Sequence, residues 1–219
     1  MDILKPSRVK PIAIAIGCLV SLCLLLLVLR HPSRRQSQSP TFDTTRHPPL
    51  VMKGGNPYIR ALMRTIAASE ASDRQPYSVI YGGSHAKTLD RHPEKCIRIV
   101  SGPNINNCST AAGRYQMINT TWFRMAKKYH PQPDCLLFFF QCTYSFEPEY
   151  QDAVVHAWLS DESAWNMNIP QLLKDGKLEE VRKRLSSTWT SLGYGIETNS
   201  ITPKLAGIYQ RLVKEESGL

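Results

Sequence analysis

Two hydrophobic patterns divide the chain. From Ile12 to Leu29 an apolar run of 18 residues is relieved only by Gly17 and Ser21. At about 1.5 Å per residue, a helix of that length spans roughly 27 Å, close to the hydrocarbon thickness of a bilayer. Further on, apolar residues recur with a helical period: Ile59, Leu62, Met63, Ile66 and Ala67 share one face. Asn56-Pro57 marks the start of that helix, because Asn is an N-cap side chain and proline's missing N–H costs nothing in the first turn. Tyr77–Gly83 is a short β-prone run ending in two glycines, and Ile97–Val100 is a second candidate strand. Helices are expected from Ala112 to about Tyr129 (Tyr115, Ile118, Trp122 and Met125 inward) and from Glu147 to about Leu159. Shorter ones are expected near Ile169–Leu173, Lys177–Ser187 and Pro203–Lys214. The outline is α+β: mostly helical, with a small sheet formed early, behind one transmembrane helix.

The run over 12–29 reads as an anchor, preceded by a short cytoplasmic tail over 1–11. A cleavable signal peptide has a shorter apolar region and a small-residue cleavage site, and here the run ends in Leu29-Arg30-His31-Pro32. Residues 30–55, rich in Pro, Ser, Thr, Gln and Arg, read as a disordered tether to a single domain over 56–219.

Glu70 stands out within the first helix of that domain. It continues the apolar stripe four residues after Ile66, at the C-terminal end, where the helix dipole disfavours negative charge. Desolvation and the dipole both favour the protonated carboxyl and raise its pKa. A carboxyl held protonated near neutral pH suits a general acid. The alternative is a helix that stops earlier and leaves Glu70 solvated in the loop Ser69–Arg74.

The net charge of +9 raises the question of nucleic acid, and its distribution argues against such a partner. Residues 1–55 carry eight Lys/Arg against two acids, whereas 56–219 carry nineteen against sixteen. The excess therefore flanks the anchor, where it meets anionic lipid head groups. Basic residues lie on both sides of the span, so charge leaves its orientation open. Cysteine usage is more informative. Outside the apolar run lie Cys96, Cys108, Cys135 and Cys142, without the spacing of a zinc site. The simplest of their three pairings joins Cys96 to Cys108 and Cys135 to Cys142, each bridge contributing about 2–3 kcal/mol. An even set without metal spacing favours an oxidising compartment outside the cytoplasm, with reduced buried cysteines as the alternative.

Six segments in register carry a family resemblance. They are Ala68-Ser69-Glu70; Tyr77-Ser78-Val79-Ile80-Tyr81-Gly82-Gly83; Asp90-Arg91-His92-Pro93; Ala112-Gly113-Arg114-Tyr115-Gln116; Gln151-Asp152-Ala153-Val154; and Trp189-Thr190-Ser191-Leu192-Gly193-Tyr194-Gly195. In this order, Ile59 to Val213 resembles the lambda-type endolysins, lysozyme-like lytic transglycosylases of peptidoglycan. The resemblance implies a lysozyme-like fold, Glu70 as the catalytic acid, and no cofactor or metal. It also implies a glycan cleft touching Tyr81, Gly82, Tyr115, Gln116, Tyr194 and Gly195. Arg114 is expected to make a structural ion pair. The cysteines, and the stretch Cys135–Cys142 that they bound, depart from the family pattern.

In this chemistry one carboxyl suffices. Protonating the oxygen between N-acetylmuramic acid and N-acetylglucosamine is its first task. The muramic acid C6 hydroxyl then attacks its own C1, giving a 1,6-anhydro end without water, and the ionised carboxylate takes that hydroxyl's proton. A muramidase would need a second carboxylate. Asp73, Asp90 and Asp152 are the candidates, and each reads as structural: a turn residue, part of the Asp-Arg-His-Pro segment, and an acid in a helix's early turns. A non-catalytic wall-binding or secretion-scaffold module is the reading from another class. The expected setting is the inner membrane, crossed once, with the domain facing the periplasm or wall. Its expected partners are glycan strands, the bilayer and possible envelope or secretion machinery.

Overall fold

The computed structural model describes residues 48–136, 141–196 and 199–218. The expected anchor, the cytoplasmic tail and most of the tether lie outside the described residues. Among those described, no helix is long and apolar enough to cross a membrane.

The domain is organised around helix α1 (Pro57–Glu70). The Asn56 side chain accepts from the Tyr58 and Ile59 amides, so the chain enters the helix as its sequence predicts. Ile59, Ala61, Leu62, Met63, Ile66, Ala67 and Ala68 are all buried, so α1 is covered on more sides than a single stripe requires. Its most extensive partner is the last helix, α7 (Leu205–Ser217). There Arg60 and the buried Arg64 meet Glu216 at 2.5 and 2.9 Å. Arg64 Nη1 also meets the more exposed Glu215 at 2.9 Å. Because Arg64 is almost fully desolvated, removing both carboxylates would be far more costly than breaking a surface pair.

Between these helices run the ribbon β1 (Ile97–Arg98)–β2 (Cys108–Ser109) and helix α2 (Asn119–Tyr129). The ribbon β3 (Asp134–Leu136)–β4 (Gln141–Thr143) and helices α3 (Pro148–Ser160), α4 (Glu162–Trp165), α5 (Ile169–Lys174) and α6 (Leu178–Leu185) follow. Both ribbons are antiparallel and two-stranded. The expected small sheet is therefore two separate ribbons plus bridges, Ile80 to Ala112 among them. Disulfides Cys96–Cys108 and Cys135–Cys142 join one flank of each ribbon to the other, in the simplest of the three pairings.

Two expectations need correction. The helix expected from Ala112 begins only at Asn119. Gly113 (φ +74°) and Gln116 (φ +43°) lie in the left-handed region, and Ala112 and Met117 exchange backbone hydrogen bonds around the turn between them. Ile118 is consequently exposed rather than inward. The tether also ends earlier than residue 55. Pro48 and Pro49 present their carbonyls to the buried Arg114 guanidinium, and the Val51 and Met52 amides donate to Asp152. Arg114 is thus structural, as expected, but it acts through carbonyls, the Tyr77 hydroxyl and the Tyr77 ring face.

Candidate active site

The end of α1 opens into a cleft of about 700 Å³. Glu70 and the turn through Asp73 form part of it, together with Val79–Gly83 and residues Ile99, Asn104 and Ser109 of the β1–β2 hairpin. Ala111, Gln116, Ile118, Thr188–Thr190 and Ile196 complete the lining. Glu70 is half-buried at the last position of the helix, which removes the solvated-loop alternative for its backbone.

Each wall has a local cause. Gly82 and Gly83, at φ +84° and +86°, turn the strand-like segment Val79–Tyr81 back on itself and leave backbone open to a ligand. Gln116 is held by its amide, which donates to the carbonyls of Val79 and Gly113 at 3.2 and 3.0 Å. Trp189 is buried against Trp158 and Trp165, and its indole N–H donates to the Tyr115 carbonyl at 2.9 Å. Next to it the turn Thr190–Leu192 is fixed from behind: Arg182 donates twice to the Leu192 carbonyl, and Thr202 Oγ1 donates to that of Ser191.

The Ser191 hydroxyl reaches Glu70 Oε1 directly and lies 3.0 Å from Ser69 Oγ. Ser69 in turn donates to the Ile66 carbonyl at 2.9 Å, while Asn199 caps the Ser69 carbonyl. Ser191 is the functional neighbour that sequence reasoning missed. Its only signal was membership of the Trp189–Gly195 segment.

Tyr81, Gly82 and Gln116 line the cleft, and Tyr115 does not. Tyr115 is 1% exposed, and its hydroxyl donates to Asp152 at 2.6 Å. Burial pushes its phenol well above the usual range, with the Asp152 charge adding to the effect, so it remains a neutral donor. Tyr194 and Gly195 are also absent from the lining. Tyr194 turns away to donate to Glu179 at 2.8 Å. A Cβ on Gly195 would stand 2.5 Å from Thr190 Cα, so this glycine is needed for chain packing. Thr190 and Ile196, their neighbours, supply that wall instead.

The three other acids separate cleanly. Asp152 is fully buried and accepts from Val51, Met52, Tyr77 and Tyr115. Asp90 is exposed, away from the cleft, and hydrogen bonds from Thr88 and Arg91 hold its carboxyl below the usual range. Only Asp73 shares the cleft with Glu70 among the described residues. Its Oδ1 accepts from the Gln75 amide at 2.6 Å, as a turn residue's should, and its Oδ2 lies 3.8 Å from His85.

The endolysin family profile matches residues 60–214. The chain belongs to the endolysin family. The endolysin of Escherichia phage lambda is 29% identical over 146 residues, covering 62% of this chain and 79% of that one. The structure of bacteriophage lambda lysozyme complexed with a chitohexasaccharide superposes with a TM-score of 0.53 at 25% identity, over 74% of this chain and 97% of that chain. A second lambda lysozyme structure gives 0.50 at 23% identity, over 75% and 97%. The domain therefore has the lambda lysozyme-like fold, mostly helical with small ribbons, and the chain is a lysozyme-like glycosidase that degrades peptidoglycan.

Proposed function

We propose that the chain is a lytic transglycosylase. It cleaves the β-1,4 bond between N-acetylmuramic acid and N-acetylglucosamine and leaves a 1,6-anhydromuramic acid end, with Glu70 as acid and then base. The observation that carries this reading is the inventory of carboxylates. Glu70 and Asp73 are the two that line the cleft among the described residues, and Asp73 is committed to its turn. With one carboxyl available among the described residues, the proton given to the leaving oxygen must come back from the attacking group. An intramolecular hydroxyl supplies both nucleophile and proton. Tyr81, Gly82 and Gln116 contribute ring face, open backbone and amide oxygen to the sugar chain. A related lysozyme's complex with a chitohexasaccharide supports a groove shaped for a β-1,4-linked amino-sugar polymer.

A muramidase is the second reading, because Asp73 does share the cleft and could activate water if its turn opened. Mass spectrometry of products from isolated wall material separates the two: an anhydro end lacks one water relative to a hydrolytic reducing end. Glu70→Gln should abolish either activity. A variant that kept full function would instead support the scaffold reading.

The apolar run over 12–29 is proposed to anchor the domain on the outer face of the cytoplasmic membrane, within reach of the wall. Both disulfides suit that oxidising side. Alkaline extraction of membranes, with protease added to spheroplasts, tests this. The full chain should stay with the membrane and its domain should be cut from outside.

A further inference from the structure

The hydrogen-bond chain behind Glu70 has more acceptors than protons. Ser69 Oγ has one hydrogen and gives it to the Ile66 carbonyl, so toward Ser191 it can only accept. Ser191 Oγ also has one hydrogen and faces two acceptors, Ser69 Oγ and Glu70 Oε1. Its backbone is held on both sides, through its own carbonyl by Thr202 and through that of Leu192 by Arg182, so the hydroxyl rotor is what remains free to turn.

We propose that Ser191 is a positioning residue whose hydroxyl turns between Ser69 and Glu70 as the carboxyl changes protonation state. The proposal rests on the reading of Glu70 as acid and base, and it deepens that reading. With Glu70 protonated, Ser191 donates to Ser69 and can accept from the acid. Once Glu70 has given its proton to the leaving oxygen, the same hydroxyl swings to the carboxylate. One oxygen of the carboxyl thus keeps a partner in both halves of the reaction, and the side chain holds its place while its charge changes. Among the described residues, the other titratable groups sharing the cleft are Asp73, on the turn after α1, and Tyr81, on the facing segment. Thr190–Leu192 adds none, and Arg182 lies behind it on the Leu192 carbonyl.

The two serines then act on Glu70 with opposite sign. Ser191→Ala removes a donor to the ionised form, so Glu70 should hold its proton to higher pH. Ser69→Ala removes the acceptor that Ser191 uses while Glu70 is protonated, so Glu70 should lose its proton at lower pH. The test is the pH profile of kcat/KM on purified glycan strands, run beside ¹³C NMR titration of the Glu70 carboxyl, assigned with Glu70→Gln. The descending limb and the NMR midpoint should rise by about one pH unit in Ser191→Ala, the size expected of one hydrogen bond to a carboxylate. Both should fall in Ser69→Ala, and Ser191→Thr should restore the native values. Midpoints that stay fixed, or that move the same way in both alanine variants, overturn the switch. The NMR midpoints judge the switch even if the wild type proves inactive on glycan, so its failure is separable from that of the proposed activity. If Ser191→Ala does not fold, Ser69→Ala and Ser191→Thr still decide it.

Discussion

The side-chain oxygen of Gln151 stands 2.3 Å from where Gly113 would carry a Cβ, and it accepts the Arg114 amide at 2.9 Å. Two of the chain's motif segments, far apart in sequence, therefore meet at one residue without a side chain. Gly113→Ala must tolerate both a positive φ and this clash, and it should cost about 2–4 kcal/mol. Gly83→Ala, at φ +86° with nothing within 4 Å, should cost only about 1 kcal/mol. Urea denaturation of the two variants measures the difference.

Tyr115→Phe removes one of the donors to buried Asp152, and the carboxylate has no water to replace it. Stability should fall by about 1–3 kcal/mol while KM for glycan stays unchanged. A raised KM would put the ring in the cleft after all.

His92 and His130 share an arrangement in which the residue two positions on donates its amide to Nδ1. Glu94 does so for His92 at 3.1 Å and Gln132 for His130 at 3.2 Å. Nε2 then donates to a carbonyl, of Met117 or Ser145. The neutral ring satisfies both contacts, whereas a protonated Nδ1 would point a second hydrogen at an amide. Burial lowers both pKa values, and also that of His156, where Arg60 adds to the effect. For a histidine depressed in the fold, the unfolded chain binds more protons below its own pKa of about 6.5. Stability should hold above that pH, fall as pH drops through it, and level off below the lowered native values. Thermal melts between about pH 7.5 and 5.5 would record this, and replacing both His92 and His130 by Gln should flatten the slope.

The Cys96–Cys108 bridge closes the hairpin that carries Ile99, Asn104 and Ser109 into the cleft, and the hairpin's strands are two residues each. So short a ladder cannot hold the lip unaided. Replacing both cysteines by serine should lower kcat/KM on glycan several-fold. The same change at Cys135 and Cys142, neither of which is among the described residues lining the cleft, should leave it near the native value.

Features set by near neighbours were readable from the chain. The Asn56 cap, the extent of α1 to Glu70 and the α3 helix depend on contacts within a few turns, whereas the cysteines left three pairings open, of which the structure has the simplest. What escaped depends on distant partners. The turn before α2 needs Gln151, and residues 48–52 are held by Arg114 and Asp152, both more than sixty positions away. Tyr115 and Tyr194 look alike as candidate sugar platforms. Asp152 and Glu179, invisible as their partners in sequence, take them out of the cleft.

The most direct test is digestion of isolated wall material in H₂¹⁸O by the purified protein. If Glu70 drives attack by the substrate's own C6 hydroxyl, the new muramic acid ends carry no ¹⁸O and are short by one water. New reducing ends that take up one ¹⁸O from solvent would show hydrolysis and contradict the account.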